Sequence, residues 1–590
     1  MTANLEHWSF GVARDYLQTV VVIDDQLVLG RRTEDANAPD DGESIVEADP
    51  YAVVATPENA QPALAAATSS ASYAAPTVET PSASPTLAGG LDGAALSDAF
   101  AHYGLVCGYV RPETDAQLQA LVDGSLDRLF IRSDVLVLDW SFNGDLGGTT
   151  TRLIRRLLRP QEGRLGRLRL ICVYTNEPDL FGIRDAIARE LTVEGYVLEE
   201  SENSEGPGLF TKDFRISVLG KPGVSRTSPL QAAEVDAVDL PQRIVLEFAQ
   251  ASHGILPGFA LKSLSVLRDN APMLLQRFHR DLDPAFVSHD LLTGEGRRFA
   301  LQLLAREVQS LLESTGAGDI ISRRNIEEWV RGRLESPSFV PRIQKKATLK
   351  EISSASVLDL LSKERIDLAD LRDAAGNQVG MNRVASIASL FAEPEEARSS
   401  EEELGRISSF ARDLHSGYDG SEEPTLQLGT ILIRVDGTID REAAIDILEE
   451  LKSGTLDHSF WICLQPLCDS EHIEESSRGF PMMPLSEAEV GKEFSFLARD
   501  HHSKSRALAG GAKPHEMKMV TFAPTGGEKV IRATKKDGFP RFTSDDGVDW
   551  LWVGELRAEQ ALRVSHEMAR MISRVGLDES EWLRENGMNK

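Results

Sequence analysis

Four apolar runs that each stop on a polar residue limit this chain more than any other feature. VVVIDD stops at Asp24 and Asp25, DVLVLDW at Asp139, LRLICVYT at Thr175, and FRISVLGKP at Lys221 followed by Pro222. Short runs rich in Val, Ile and Leu read as strands buried on both faces, the pattern of a parallel sheet. A polar side chain at the end of such a strand lies at the carboxyl edge, where open α/β sheets bind ligands. Three Asp, a Thr and a Lys gathered at one edge suit phosphoryl transfer better than metabolism.

Helical patterns separate these strands. AALSDAFAHY, DAQLQALVDGSLDRLF, TTTRLIRRLL and DLFGIRDAIAREL alternate with LVCGYV and the four runs. The order βαβαβαβαβ implies a flavodoxin-like, doubly wound parallel sheet of five strands with helices on both faces, an α/β fold over residues 1–250. Residues 31–93 interrupt it. They are rich in Ala, Ser, Thr, Pro and acidic residues, with little large apolar surface to offset the entropy of ordering, so they are expected to be disordered.

Further on, apolar spacing of three and four predicts helices in PQRIVLEFAQAS, FALKSLSVLRDNAPMLLQRF, GRRFALQLLAREVQSLLEST and NIEEWVRGRLE, hence a helical domain over 251–392. The acidic stretch EPEEARSSEEELGR predicts a linker over 393–424. Residues 425–590 mix strands (LGTILIRV, FWICLQPL, MKMVTFAP, EKVIRAT) with two helices (REAAIDILEELKSG, RAEQALRVSHEMARMISRVG), the mark of an α+β domain.

Charge and cysteine content narrow the partners. Lys and Arg total 63 against 92 Asp and Glu, a formal charge of -29 that repels phosphate backbones and argues against a nucleic-acid partner. The four Cys (Cys107, Cys172, Cys463, Cys468) suit a reducing cytoplasm and exclude a disulfide framework. MTANLEHWSFGVARDY lacks the basic and apolar regions of a signal peptide. No apolar run approaches the ~20 residues that span a bilayer. A cytoplasmic protein with no membrane partner is expected.

A carboxylate accepts a phosphoryl group poorly unless its charge and that of the phosphate are both offset. Mg²⁺ does this, held by one or two carboxylates plus phosphate oxygens. Asp24 and Asp25 are placed to hold the ion beside Asp139, the candidate nucleophile, and the backbone carbonyl of Ser141 could complete the protein ligands. Lys221 would pair with one phosphoryl oxygen as a compact point charge, and Thr175 would donate to another. Catalysis of this kind is mostly positioning and electrostatics.

On these five positions, in this order and with Pro222 after the Lys, the chain resembles the receiver (CheY-like) domains of two-component response regulators over residues ~16–250, the insert excepted. The resemblance implies that Asp139 is the phosphorylation site, that Asp24 and Asp25 bind Mg²⁺, and that Thr175 and Lys221 are the switch pair. Three departures stand out: the insert directly after the acidic pair, a loop WSFNGDLGG without the family's Met-Pro, and Val218 where receivers often carry an aromatic switch residue. The whole chain is also similar to the atypical receiver proteins of bacterial anti-phage two-component-like (Detocs-type) systems, through FWICLQPLCDS and RVGLDESEWLR. That resemblance implies a phosphate sink or regulator in defence.

The expected function is to receive a phosphoryl group on Asp139 from a histidine kinase, with the later regions docking an effector protein. No enzyme activity is expected beyond self-phosphorylation and dephosphorylation. The alternatives are a non-phosphorylated pseudo-receiver scaffold, and an effector with an unrecognised activity in its C-terminal half, where Cys468, His501 and His502 would line a pocket. Cys463, Cys468 and His472 could ligate zinc, but without a second Cys pair they read better as packing. His253, on a predicted helix, reads as a packed or surface histidine, and Trp582 as an anchor of the last helix. A homodimer is open, since receivers often dimerise.

Overall fold

The computed structural model describes residues 3–28, 91–158, 168–201, 206–211, 214–294, 296–336, 339–345, 348–363, 370–379, 384–414, 423–435, 460–471, 473, 477–488, 495–499, 505–510, 514–524, 529–536 and 539–572. His472, His501, His502, Trp582, the helix expected in REAAIDILEELKSG and nearly all of the expected insert lie outside them.

Five strands form the parallel part of the first sheet: β1 Thr19–Ile23, β2 Val106–Val110, β3 Val135–Leu138, β4 Arg169–Thr175 and β5 Phe214–Gly220. Their spatial order is β2-β1-β3-β4-β5, which is the flavodoxin-like order. The expected five strands are present, and two more extend the sheet. Glu199–Ser201 and Gly208–Phe210 pair antiparallel with each other, and the second pairs antiparallel with β5. These segments are short and carry Glu and Gly, so no alternation announced them.

Successive strand residues point to opposite faces. Val20, Val22, Val135, Val137, Leu170 and Cys172 enter one core, whereas Val21, Ile23, Leu136, Leu138, Ile171 and Val173 enter the other. The first core is covered by α2 (Gly93–His102) through Leu96 and Phe100, and the second by α3 (Asp115–Asp123), α4 (Gly148–Leu158) and α5 (Leu180–Val193). Local chemistry sets the helix ends. Asp92 accepts from the amides of Ala94 and Ala95 at the start of α2, and Thr114 and Gln117 form a reciprocal capping box on α3. Gly124, in the left-handed region at φ 97°, ends α3.

The expected insert leaves and returns through paired segments. Leu27–Val28 and Leu91–Asp92 form a two-stranded parallel pair, so residues 91–93, at the end of the expected insert, belong to the fold.

A helix before the first strand, α1 (Ala3–Tyr16), packs against α6 (Leu240–Ala251) and α7 (Ile255–Arg277). Two further helices, α8 (Asp283–Thr293) and α9 (Gly296–Ser314), continue the helical region. The stretch expected to be purely helical also holds a three-stranded antiparallel sheet of Arg342–Lys345, Thr348–Glu351 and Val384–Ser386. The acidic stretch forms a helix, α10 (Pro394–Ser409), and runs straight into a strand, Phe410–Asp413, of the C-terminal sheet. Glu395 and Glu396 lie in its first turn, where the helix dipole favours acids.

The C-terminal region is strand-rich. A ten-stranded antiparallel sheet is centred on β6 (Thr430–Val435) and β7 (Phe460–Cys463), flanked by β8 (Arg478–Glu487) and β9 (Asp549–Leu556). The helix α11 (Ala558–Ile572) covers one face with Ala561, Val564 and Met568. The other face is aromatic, with Trp461, Trp550, Phe480 and Phe522 in edge-to-face contacts. No helix among the described residues is long and apolar enough to cross a membrane.

Candidate functional site

The strand order places the carboxyl ends of β1 and β3 side by side, with β4 next to β3 and β5 next to β4. Asp24 follows Ile23 and Asp139 follows Leu138, two residues that are paired in register. The Asp139 amide donates to the Ile23 carbonyl at 2.9 Å, which continues the ladder to the acid itself. Thr175 closes β4, and the Lys221 amide donates to its carbonyl at 2.7 Å. Asp24, Asp139, Thr175 and Lys221 are all buried, and Asp25 is half-buried.

Lys221 bridges two of the acids. Its Nζ donates to Asp24 Oδ2 at 2.7 Å and to Asp139 Oδ1 at 3.1 Å. Burial disfavours the lysine's charged form, yet Asp139 and Asp24 hold its pKa above the ordinary value. Burial pushes the Asp139 carboxyl up to about 6; Lys221 opposes the rise, and the charges of Asp24 and Asp25 add to it.

Carboxylate oxygens of Asp24, Asp25 and Asp139 all lie within 4.8 Å of one another. Asp24 Oδ1 accepts from the Gln26 amide at 2.7 Å and Asp25 Oδ2 from the Asn143 amide at 2.8 Å. Asp25 Oδ1 is buried with no hydrogen-bond partner. Three carboxylates against one ammonium, with one oxygen left unpaired, form a donor set suited to a hard divalent cation. It is the one such cluster of His, Cys, Asp or Glu among the described residues.

The loop after Asp139 is shaped by left-handed residues. Asn143, Gly144, Leu146 and Gly147 have φ of 50°, 78°, 54° and 88°. Asp145 ties it to α4, accepting from the amides of Gly147 and Thr149 at 3.2 and 2.6 Å, while Leu146 donates its amide to Ser141 Oγ at 3.3 Å. Thr150, fully buried in α4, donates to the Asp139 carbonyl at 2.7 Å and lies 3.0 Å from that of Trp140, which fixes the backbone just after the acid.

Two residues that sequence reasoning did not single out shape the pocket. Arg226 is buried behind it and donates to the carbonyls of Lys221 (2.7 Å), Thr175 (3.2 Å) and Glu177 (3.0 Å), stapling the loop after β5 to the end of β4. Tyr174, beside Thr175, donates its hydroxyl to the Val235 carbonyl at 2.7 Å and has the Lys221 Nζ 5.7 Å from its ring centre. The apolar run LRLICVYT contains Tyr174, so its burial was legible; Arg226 sits in SRTSP, which carries no signal.

The weaker sequence candidates resolve differently. Cys463 is buried in β7, and burial pushes its thiol up to about 12, away from the thiolate that binds zinc. Cys468 is exposed on a four-residue helical turn. His253 lies in the turn between α6 and α7, not on a helix, with Nδ1 3.2 Å from Ser9 Oγ.

A doubly wound sheet with clustered acids, a Thr and a Lys at its carboxyl edge defines the class of a signalling module. The chain matches the family model of the response receiver domain over residues 16–226, and this part of the chain is a response receiver domain. That is consistent with a phosphoacceptor, response-regulator-like role in general. Among curated proteins none matches, and no solved structure does.

Proposed function

We propose that this chain receives a phosphoryl group on Asp139 from the phosphohistidine of a partner histidine kinase. A carboxylate oxygen of Asp139 attacks phosphorus; the O–P bond forms as the P–N bond breaks, and the imidazole nitrogen keeps the electron pair. Lys221, already 3.1 Å from Asp139, turns its ammonium to a phosphoryl oxygen and remains paired with Asp24. Thr175 donates its hydroxyl to a second oxygen. Asp24, Asp25, Asp139 and the Ser141 carbonyl would hold Mg²⁺, which when bound offsets the charge of the carboxylates and the incoming phosphate.

The observation that carries this reading is the buried Lys221 shared between Asp24 and Asp139 beside the unpaired Asp25 Oδ1. The test is incubation with phosphoramidate, a small P–N donor, and Mg²⁺, followed by intact-mass measurement. Wild type should gain one phosphate and Asp139→Asn none. An adduct kept by the variant, or absent from wild type, refutes it.

A finer reading concerns output. Val218 is buried in the core of β5, where an output-coupled receiver would offer an aromatic ring. That favours a phosphate sink, the role implied by the anti-phage resemblance, over an on/off regulator. A sink should shorten the phosphohistidine lifetime of its kinase in proportion to the amount of chain added; an unchanged lifetime excludes this reading.

A further inference from the structure

We infer that the helical arm of residues 267–314 is the surface on which two copies of this chain associate. The arm is firmly rooted. Leu261 and Val266 of α7 are buried, and Arg268 Nη2 binds Asp134 Oδ1 at 2.9 Å with its guanidinium 4.4 Å from the Tyr16 ring centre. Past Val266 nothing in α7 is buried, α8 has no buried residue, and α9 buries only Gly296 and Leu311. Helices in proteins are stabilised mainly by packing an apolar face; α7 and α9 pack on each other, yet the arm still leaves many large apolar side chains uncovered.

The uncovered side chains are large and apolar. Met273, Leu275, Val287, Leu291, Leu292 and Leu301 are each more than half exposed, with Leu291 and Leu292 at 81% and 84%. Together they offer on the order of 700 Å² of apolar surface, near the ~800 Å² that each partner contributes to a standard interface.

Charge selects the occupant. The whole chain carries -29, whereas residues 267–314 hold six Arg against seven Asp and Glu, a net of -1. The arm's charges nearly cancel, so two copies that meet there add little repulsion. A nucleic acid or an anionic bilayer would ask for net positive charge, which the arm lacks. The exposed neighbours Arg280 and Asp281 at its tip present both signs, so a two-fold arrangement can form reciprocal pairs.

The experiment is sedimentation velocity of the full chain from about 1 to 100 µM, with circular dichroism to confirm folding. Wild type should be a dimer. Leu291→Glu/Leu292→Glu on α8, and separately Leu275→Glu on α7, should each raise the dimer dissociation constant at least 100-fold with unchanged helicity. Val193→Glu, an equally exposed apolar site on α5, should leave the dimer intact. A wild type that stays monomeric at 100 µM overturns the inference, including the case in which it instead sediments with phosphatidylglycerol vesicles. So does a dimer that survives both arm variants.

Discussion

Lys221 Nζ and Asp139 Oδ1, 82 residues apart in the chain, meet at 3.1 Å inside the receiver pocket, and the ion pair does not fully offset the burial of the acid. The Asp139 carboxyl is pushed up to about 6, above its value of 3.8 when solvated. A carboxyl raised on folding binds a proton more tightly in the native state, so stability is greatest below the unfolded value and declines as pH rises through the folded one. Without Mg²⁺, Asp139→Asn should therefore be more stable than wild type by ~2–3 kcal/mol at about pH 7.5. The gap should close between about pH 6 and pH 4. Urea unfolding across that range measures it, and a gap independent of pH contradicts the assignment.

Asp25 offers a buried oxygen with no partner, while its other oxygen accepts from the Asn143 amide. Replacing it with Asn keeps an acceptor for that amide and removes one negative charge from the cluster. Asp25→Asn should weaken Mg²⁺ binding at least tenfold while changing Mg²⁺-free stability by less than ~1 kcal/mol. Trp140, buried next to Asp139, supplies a fluorescence signal for the titration. Equal Mg²⁺ affinity in the two proteins would remove Asp25 from the ligand set.

The parts of this architecture that were legible are those where periodicity and edge chemistry agree. Val20 to Ile23 and Val135 to Leu138 alternate between two covered faces, so they read as continuous apolar runs, and the acids beyond them could only be edge residues. The hairpin at the β5 edge was missed because Gly208 and Glu199 lie in strands too short to show a period. In β8, Pro481 and Pro484 sit within a strand bonded on both sides, where proline argues against strand. The acidic run at α10 reads as a linker by charge, but its i,i+4 pair Arg398–Glu402 and its apolar Ala397 make it a helix. Arg226 was invisible because its three closest acceptors are backbone carbonyls, which no side-chain pattern reports, and its carboxylate partner Glu234 is a longer contact at 3.4 Å.

Arg226 makes a prediction of its own. Its guanidinium fork serves the carbonyls of Lys221, Thr175 and Glu177, a geometry that a lysine cannot reproduce. Arg226→Met should cost about 2–4 kcal/mol, and Arg226→Lys more than half of that, because buried carbonyls lose their donors. Both should slow phosphorylation of Asp139 by phosphoramidate by loosening Thr175 and Lys221 together. Thermal melts and timed intact-mass measurements separate the two effects; a lysine variant with wild-type stability would show that one ammonium suffices.

The loop below Asp139 permits a cleaner comparison, because Gly144 and Gly147 share a left-handed backbone but not a neighbour. A Cβ at Gly144 would meet nothing within 4 Å, whereas at Gly147 it would lie 2.1 Å from Trp140 Cζ2. Gly144→Ala should therefore cost only the left-handed penalty, ~1–2 kcal/mol. Gly147→Ala carries the same penalty and must also displace the indole ring packed beside Asp139, so it should cost at least ~2 kcal/mol more. Leu146, exposed and non-glycine at φ 54°, should gain ~0.5–1 kcal/mol when replaced by Asn, which tolerates that conformation. Chemical unfolding of the three variants orders them, and Trp140 emission reports the ring. If Gly147→Ala leaves that emission unchanged and costs no more than Gly144→Ala, the indole does not rest on Gly147 and the loop holds Asp139 by its hydrogen bonds alone.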